Sequence, residues 1–221
     1  MYHWDFEFLW GFRRLLVIGL GYTAAYTVIC TLLGLLIGLA VALGRLSRHG
    51  WLRAPLRGYV EIFRCTPVLV QLVWFYYALP VLTGIEISAA LAAVLALSLY
   101  GSSFFSEIIR GGIISIDPEQ SDAARALGMR RWQVMRRVVL PQAVRIVLPP
   151  YGNTMIMMLK DSSQASTITV AELTLKGQLI ASSTFKYTSV LTMVAVLYLV
   201  MSVPLILYVG WQERRMQRAR S

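Results

Sequence analysis

Charged and amide side chains occur at points where the surrounding sequence is apolar enough to cross a membrane. The charged ones are Glu107, Lys160 and Asp161. A charge that faces lipid at the bilayer centre costs on the order of 2.5–3.5 kcal/mol on insertion scales, so such residues usually pair or line a water-filled cavity. Ser163 and Gln164 follow Asp161 and can both donate and accept hydrogen bonds. We predict that these residues line the path of a small polar solute.

Each of these charges also has a purely structural interpretation. Glu107 can pair with Arg110 one helical turn later, and Lys160 with its neighbour Asp161 can lie at the membrane interface. The polar stretch 162–169 is harder to explain structurally, because backbone broken inside a membrane needs water or protein partners. Such a stretch is typical of an element that lines a path or forms its external gate.

No group of residues in the sequence supports catalysis or metal binding. His3 and His49 are too few and too far apart for a metal site, and Cys30 and Cys65 form no CxxC or Cys/His grouping. No Gly-x4-Gly-Lys-Ser/Thr segment occurs, so the chain lacks the phosphate-binding loop of a large class of ATPases. We expect neither an enzyme nor a cofactor site in this chain.

Composition points to lipid as the solvent. Of 221 residues, 57% are hydrophobic and only 14% are charged, against about a quarter in soluble domains. The net charge of +10 comes from short basic clusters between long apolar runs. Loops beside an anionic membrane surface explain that arrangement better than a nucleic-acid partner does.

Five segments are long enough to cross a bilayer as helices, at about residues 15–43, 59–81, 87–109, 143–169 and 188–211. The first would be about 43 Å long at about 1.5 Å per residue, so it should tilt or end in the interface. Pro149 and Pro150 should interrupt the fourth. We predict one all-α membrane domain over residues 1–221, without the internal repeats of many secondary transporters.

Basic residues are distributed unequally between the two sets of loops, and those beside short loops usually remain on the cytoplasmic side. One set of loops carries most of them: Arg45, Arg48, Arg53, Arg57, Arg64, Arg110, Arg125, Arg130, Arg131, Arg136, Arg137, Arg145, Arg214, Arg215, Arg218 and Arg220. The other set carries only Arg13, Arg14, Lys160, Lys176 and Lys186. This asymmetry predicts an external N-terminus and a cytoplasmic C-terminus.

The long basic loop of residues 111–142, called the elbow below, is patterned as two helices joined by a turn. Asp117 can cap the first helix, and Gly128 can end it in a left-handed conformation. A second helix over residues 130–140 should be stopped by Pro141. Such an elbow either docks into another protein or rests on lipid headgroups.

Spacing within the elbow resembles the signature Glu-Ala-Ala-x3-Gly-x9-Ile-x-Leu-Pro of the permeases of binding-protein-dependent ABC importers. The matching residues are Asp122, Ala123, Ala124, Gly128, Val138, Leu140 and Pro141. Two of them depart from the signature, with Asp122 in place of Glu and Val138 in place of Ile. The resemblance implies a coupling helix that docks on a separate ATP-hydrolysing subunit, with these contact residues: Asp122, Ala123, Ala124, Gly128, Leu140 and Pro141.

Further segments resemble one branch of that family, the polar amino acid permeases of the histidine, glutamine, arginine and opine type. Residues 64–71 are similar to Arg-Gly-Thr-Pro-Leu-Leu-Val-Gln, with Cys65 in place of Gly. Residues 160–166 are similar to Lys-Asp-Thr-Ser-Leu-Ala-Ser, with Gln164 in place of Leu. The second departure bears most directly on which solute is accepted.

That resemblance implies the type I importer transmembrane fold in a bacterial inner membrane. It also implies a second permease subunit, two nucleotide-binding ATPase subunits that hold ATP and magnesium, and an extracytoplasmic solute-binding protein. Alternating access, driven by closure of the ATPase subunits, would move a polar amino acid or a similar small zwitterion. Two alternatives stay open: a non-amino-acid osmolyte or opine as the solute, or a pore or scaffold subunit without a transport cycle.

Overall fold

The computed structural model describes residues 4–218, with side chains described as far as Met216. Every regular element in this part of the chain is helical, which confirms the all-α prediction. A 3₁₀ turn at Glu7–Phe12 leads into the helices, which are α1 (Arg13–Arg45), α2 (Gly50–Cys65), α3 (Val68–Thr83), α4 (Ala89–Ile114), α5 (Pro118–Ala126), α6 (Arg131–Val134), α7 (Leu140–Asp161), α8 (Leu173–Thr184) and α9 (Tyr187–Arg218).

Three helical segments are long and apolar enough to cross a membrane by themselves, namely Glu7–Arg45, Ala89–Ile114 and Tyr187–Met216. Helices α2 and α3 meet the same criteria only when they are taken together as one bent span. The helix α7, at the place of the predicted fourth span, is not one of the three. The count of five spans therefore stays a prediction.

The predicted second span, residues 59–81, contains a sharp bend that was not predicted. Helices α2 and α3 meet at 106°, with the break at Thr66 and Pro67. A proline disfavours helical backbone at the residue before it, and Thr66 accordingly has extended dihedrals of φ −99° and ψ 131°. The amide of Gln71 stabilises the bend, because it donates to the carbonyls of Phe63 and Thr66 at 2.9 Å each.

The prediction that Pro141 stops the second elbow helix is wrong. Between α6 and α7 the chain forms a π-helical turn, Met135–Val139, and the Leu140 N–H donates to the carbonyl of Met135, five residues back. This wider turn changes the hydrogen-bond register just before the proline, which lacks an N–H of its own. The helix therefore runs from Arg131 to Asp161 without a break.

Nor do Pro149 and Pro150 interrupt the predicted fourth span, since both lie inside α7. This helix packs against both α4 and α9. Neighbouring helices commonly hold a proline-containing membrane helix together in this way. The polar stretch that follows forms a 3₁₀ helix, Ser162–Ile168, which ends at Thr169 with φ +65°. Helix α8 comes next and was not predicted.

Helix α4 lies at the centre and makes its most extensive contact with α1. The glycines Gly34 and Gly38 face α4, and a methyl group at Gly38 would lie 2.8 Å from the carbonyl oxygen of Ser102. Serines on α4, including Ser102 and Ser106, are completely buried. Small residues on both helices thus bring the two backbones close together.

Candidate coupling elbow and solute path

The elbow has the capped and terminated first helix that the sequence predicts. The Asp117 carboxylate accepts a hydrogen bond from the Glu119 N–H at 2.9 Å, at the start of α5. Gly128 is left-handed at φ +82°. Its N–H donates to the Arg125 carbonyl at 2.9 Å, and the Met129 N–H donates to the Ala124 carbonyl at 3.2 Å. These paired bonds are those of a Schellman motif, in which a glycine ends the helix.

The motif residues of α5 divide between two faces. Ala124 is buried in a small apolar core whose other buried members are Ile116, Val134 and Val139. The exposed positions on α5 and its end are Asp122, Ala123 and Gly128, and those at the start of α7 are Leu140 and Pro141. The buried alanine thus holds the hairpin together, while the exposed positions are available to another protein.

Leu127 is a candidate contact residue of the elbow that was not singled out from the sequence. It lies between α5 and Gly128 and is 81% exposed. Covering this side chain with another protein would remove apolar surface from water, which is favourable. Its position immediately before the glycine that ends the helix is the sequence signal that was available.

Hydrogen bonds of the Gln142 side chain connect α5 to the start of α7. The Gln142 amide donates to the Gln120 side-chain oxygen at 2.5 Å and to the Val138 carbonyl at 3.0 Å. Together with the small apolar core, these bonds couple α5 to the continuous helix that begins at Arg131.

The five residues predicted to line a solute path do not form one cluster. Glu107 lies in an ion-pair group, where its carboxylate accepts from Arg45 at 2.6 Å and also from Arg110. The ring of Phe105 lies 5.2 Å from that of Tyr151, so Glu107 is near the level of Tyr151 along α7. Asp161 is ten residues further along, which is about 15 Å at the helical rise.

The remaining four residues stay together at the end of α7 away from the elbow. The Gln164 amide donates to the Asp161 carboxylate at 3.3 Å. The second carboxylate oxygen of Asp161 is buried, and the hydroxyl of Tyr100 lies close enough to interact with this carboxylate. Lys160 is exposed, and Ser163 donates to its carbonyl at 2.6 Å. A buried acceptor beside an amide is able to bind an ammonium group.

A second buried carboxylate, Glu172, was not singled out from the sequence. It is fully buried and caps α8, because its oxygens accept from the N–H groups of Thr174 and Leu175 at 2.9 Å each. Tyr198 donates to it at 2.6 Å and Thr23 at 3.5 Å. The carboxylate therefore joins α1, α8 and α9. The cost of a charge inside an apolar region, which drew attention to Glu107, is the signal that would have found it.

Metal binding finds no support in the part of the chain that the structure describes, where no group of three or more His, Cys, Asp and Glu side chains occurs. His49 lies in the short connection between α1 and α2. His3 lies outside the described residues.

A bundle of apolar helices that carries a structured helical elbow at one end defines the class: a membrane-embedded subunit with a docking hairpin. The chain belongs to the family of binding-protein-dependent transport system inner membrane components, whose model matches residues 32–218. This match confirms the family that the elbow signature indicates.

Relatives and a solved structure cover almost the whole chain. The glutamine transport system permease protein GlnP of Escherichia coli strain K12 is 35% identical, over 96% of this chain and 98% of its own. The octopine transport system permease protein OccM of Rhizobium radiobacter is 35% identical, over 97% of this chain and 93% of its own. A crystal structure of an amino acid ABC transporter with histidines superposes with a TM-score of 0.91, at 37% identity, over 97% of this chain and 100% of that one. The fold is thus that of the type I ABC importer permeases.

Proposed function

We propose that this chain is the permease subunit of an ATP-driven importer for polar amino acids or similar small zwitterionic solutes. It works beside a second permease subunit, identical or homologous, and receives its solute from an extracytoplasmic solute-binding protein. Two partner ATPase subunits bind ATP and magnesium, so the permease needs no cofactor of its own. Relatives named for glutamine and octopine transport, aligned over nearly their whole lengths, support this solute class.

The observation that carries the mechanism is the unbroken helix from the elbow to the polar end of α7. It starts at Arg131 within the elbow, passes through Pro141 and ends at Asp161, and Gln164 lies in the 3₁₀ helix that follows. In the alternating-access cycle, closure of the ATPase subunits moves the elbows, and α7 carries that motion to the residues beside the solute. Because the helix is tied to α5 through Gln142, the elbow and α7 move together.

Docking of the ATPase subunit centres on the exposed face of the elbow. Asp122 and Ala123 lie on that face with Gly128, and Leu127 supplies its apolar centre. The bundle is oriented with its N-terminus external and with the elbow and the C-terminus in the cytoplasm, as the distribution of arginines indicates.

At the opposite end, Asp161 and Gln164 hold the solute, while Lys160 and Ser163 flank them. A carboxylate binds the ammonium group common to amino acids, and the Gln164 amide contacts a polar side chain. The octopine relative favours a second candidate solute, an opine.

One experiment tests docking and the transport cycle together. Leu127→Asp places a charge in the proposed contact, and Leu82→Asp is a matched control because Leu82 is 73% exposed but lies on α3, away from the elbow. Burial of a leucine contributes about 1.5–3 kcal/mol, so Leu127→Asp should weaken ATPase binding by about 10- to 150-fold. Retention of the ATPase subunit on the purified permease and solute uptake into vesicles are the measurements.

Equal ATPase retention by the two variants would contradict the docking surface. If the wild-type complex retains the ATPase but no solute accumulates in vesicles, the chain is a scaffold or pore subunit.

For the solute end, Asp161→Asn should raise the half-saturating solute concentration by about 10- to 150-fold, since a hydrogen bond to a charged group contributes about 1.5–3 kcal/mol. Gln164→Leu should instead change the order of preference between glutamine and octopine.

A further inference from the structure

A cavity of about 440 Å³ lies between α2 and the elbow-proximal ends of α1 and α4. Its walls carry charged side chains from three helices: Arg45 of α1, Arg53, Arg57, Glu61 and Arg64 of α2, and Glu107 and Arg110 of α4. The α2 residues recur at intervals of three and four, so they form one stripe along that helix. Five arginines and two glutamates leave the cavity with an excess of positive charge.

Only part of that positive charge is neutralised by the protein. Glu107 pairs with Arg45, whose side chain is 8% exposed, and with Arg110. The three α2 arginines have no carboxylate partner among the described residues, although Arg64 lies over the ring of Phe104 at 5.5 Å. In addition, the Nε of Arg110 is buried without an acceptor in the same part of the chain.

Guanidinium groups gathered in this way match oxyanions. Their planar arrangement of N–H donors fits the oxygens of a phosphate group in pairs. An anion in the cavity would also relieve the repulsion among the unpaired arginines.

Helix α2 indicates which kind of phosphate reaches the cavity. One of its faces packs on the bundle through Val60, which is fully buried, and through Tyr59, whose hydroxyl contacts Ser102 at 2.5 Å. A separate face on the far side of the arginine stripe is exposed and apolar, with Trp51 at 76% and Ile62 at 65% exposure. An apolar face beside a row of arginines is typical of a helix that lies in the headgroup region of an anionic membrane.

We propose that this cavity binds the phosphate of an anionic phospholipid from the cytoplasmic leaflet, with the acyl chains against the apolar face of α2. The lipid adds negative charge beside Arg53, Arg57 and Arg64, and the Glu107 ion pairs fix the inner wall. The leaflet follows from the proposed orientation, whereas lipid binding itself does not depend on the solute or on ATP.

Native mass spectrometry of the complex with its ATPase subunits, purified in detergent, tests this site. Phosphatidylglycerol and phosphatidylethanolamine are added in equal amounts, and retained lipid is counted per complex. The test variant is Arg53→Gln with Arg57→Gln. The matched control is Arg13→Gln with Arg14→Gln, which removes the same charge at the other end of α1. Loss of two arginines near a headgroup should weaken retention of phosphatidylglycerol by about 30-fold, with the control unchanged.

A second pair of measurements separates the lipid from other occupants. Arg53→Lys with Arg57→Lys keeps the charge but loses the planar donors, so it should retain an intermediate amount of lipid and confirm that the fold is intact. Equal retention by the glutamine variant and its control would overturn the proposal. It would also be overturned if inorganic phosphate alone displaced all the lipid, or if the Arg57→Cys variant crosslinked to a second permease copy in place of lipid.

Discussion

Glu107 accepts a hydrogen bond from Arg45 across the contact between α1 and α4, with 2.6 Å between Oε2 and Nη1. The two residues are 62 positions apart, and each lies near the elbow-proximal end of its helix. Arg110 binds the other carboxylate oxygen. Glu107 therefore links two central helices, and each of its carboxylate oxygens already contacts a guanidinium group.

Replacement of Glu107 by Gln should lower stability and leave solute preference unchanged. The change leaves the largely buried Arg45 without its counter-charge, and a hydrogen bond to a charged group contributes about 1.5–3 kcal/mol. Glu61→Gln is the matched control, because Glu61 lines the same cavity and has no ion pair among the described residues. Thermal unfolding of the purified complex and uptake of a solute panel are the measurements. An unchanged unfolding temperature together with an altered solute preference would show instead that Glu107 lines the solute path.

Replacement of Glu172 by Gln should destabilise the contact of α1, α8 and α9. The carboxylate accepts from two backbone N–H groups and from Tyr198. An amide at this position turns an N–H₂ group toward at least one donor, and a buried donor left unsatisfied costs about 1–3 kcal/mol. The exposed carboxylate of Glu86 provides the control variant, Glu86→Gln. Equal melting temperatures of the two complexes would show that the network contributes nothing.

Local signals in the sequence predicted local structure well. Asp117 and Gly128 mark the two ends of α5, because a cap and a left-handed glycine depend only on nearby backbone. The effect of a proline on its helix could not be predicted from the sequence, since one X-Pro pair can end a helix or lie within it. Helix α2 ends before Pro67, and the Gln71 amide donates to the carbonyls of Phe63 and Thr66. Before Pro141, a π-helical turn changes the hydrogen-bond register, so the helix continues through the proline.

Contacts between distant segments were beyond the reach of the sequence. The pairing of Glu107 with Arg45 depends on how α1 crosses α4, which the glycines Gly34 and Gly38 permit but do not specify. Helix α8 escaped prediction because its apolar residues show little helical periodicity, so the cap at Glu172 was the main clue. Asp161 and Gln164 could be grouped from the sequence because they are close together in the chain. Their separation from Glu107 depends on contacts between distant segments, so it could not be predicted.

Thiol labelling from outside intact cells should reveal the orientation of the bundle. With Cys30 and Cys65 replaced, a cysteine at Thr83, at the end of α3 away from the elbow, should react with an impermeant reagent. Cysteines at Ser47 and Met216 should be protected, since each lies beside arginines that favour the cytoplasmic side. All three should react after the cells are permeabilised. External labelling at Met216 would reverse the orientation of the elbow.

Gly128→Val should abolish coupled transport while the protein still inserts and assembles as a bundle. A methyl group at Gly128 would meet nothing within 4 Å, so the effect arises from the backbone, which has φ +82°. Left-handed backbone costs a non-glycine residue about 1–2 kcal/mol, and a β-branched side chain more. The chain should relieve this strain by releasing the paired bonds that end α5, which changes the shape of the elbow around Leu127.

Gly111→Val is the matched control for that change. Gly111 also has open space around it, but although it is the first residue of the elbow it lies within the helix α4 and its φ is not positive. The control should bind its ATPase subunit and transport solute at close to the wild-type rate, with only the small cost of valine in a helix. The Gly128 variant should retain its level in the membrane and lose both ATPase retention and solute-stimulated ATP hydrolysis. Normal transport by the Gly128 variant would mean that the elbow does not need this turn, and that the coupling surface lies elsewhere on the chain.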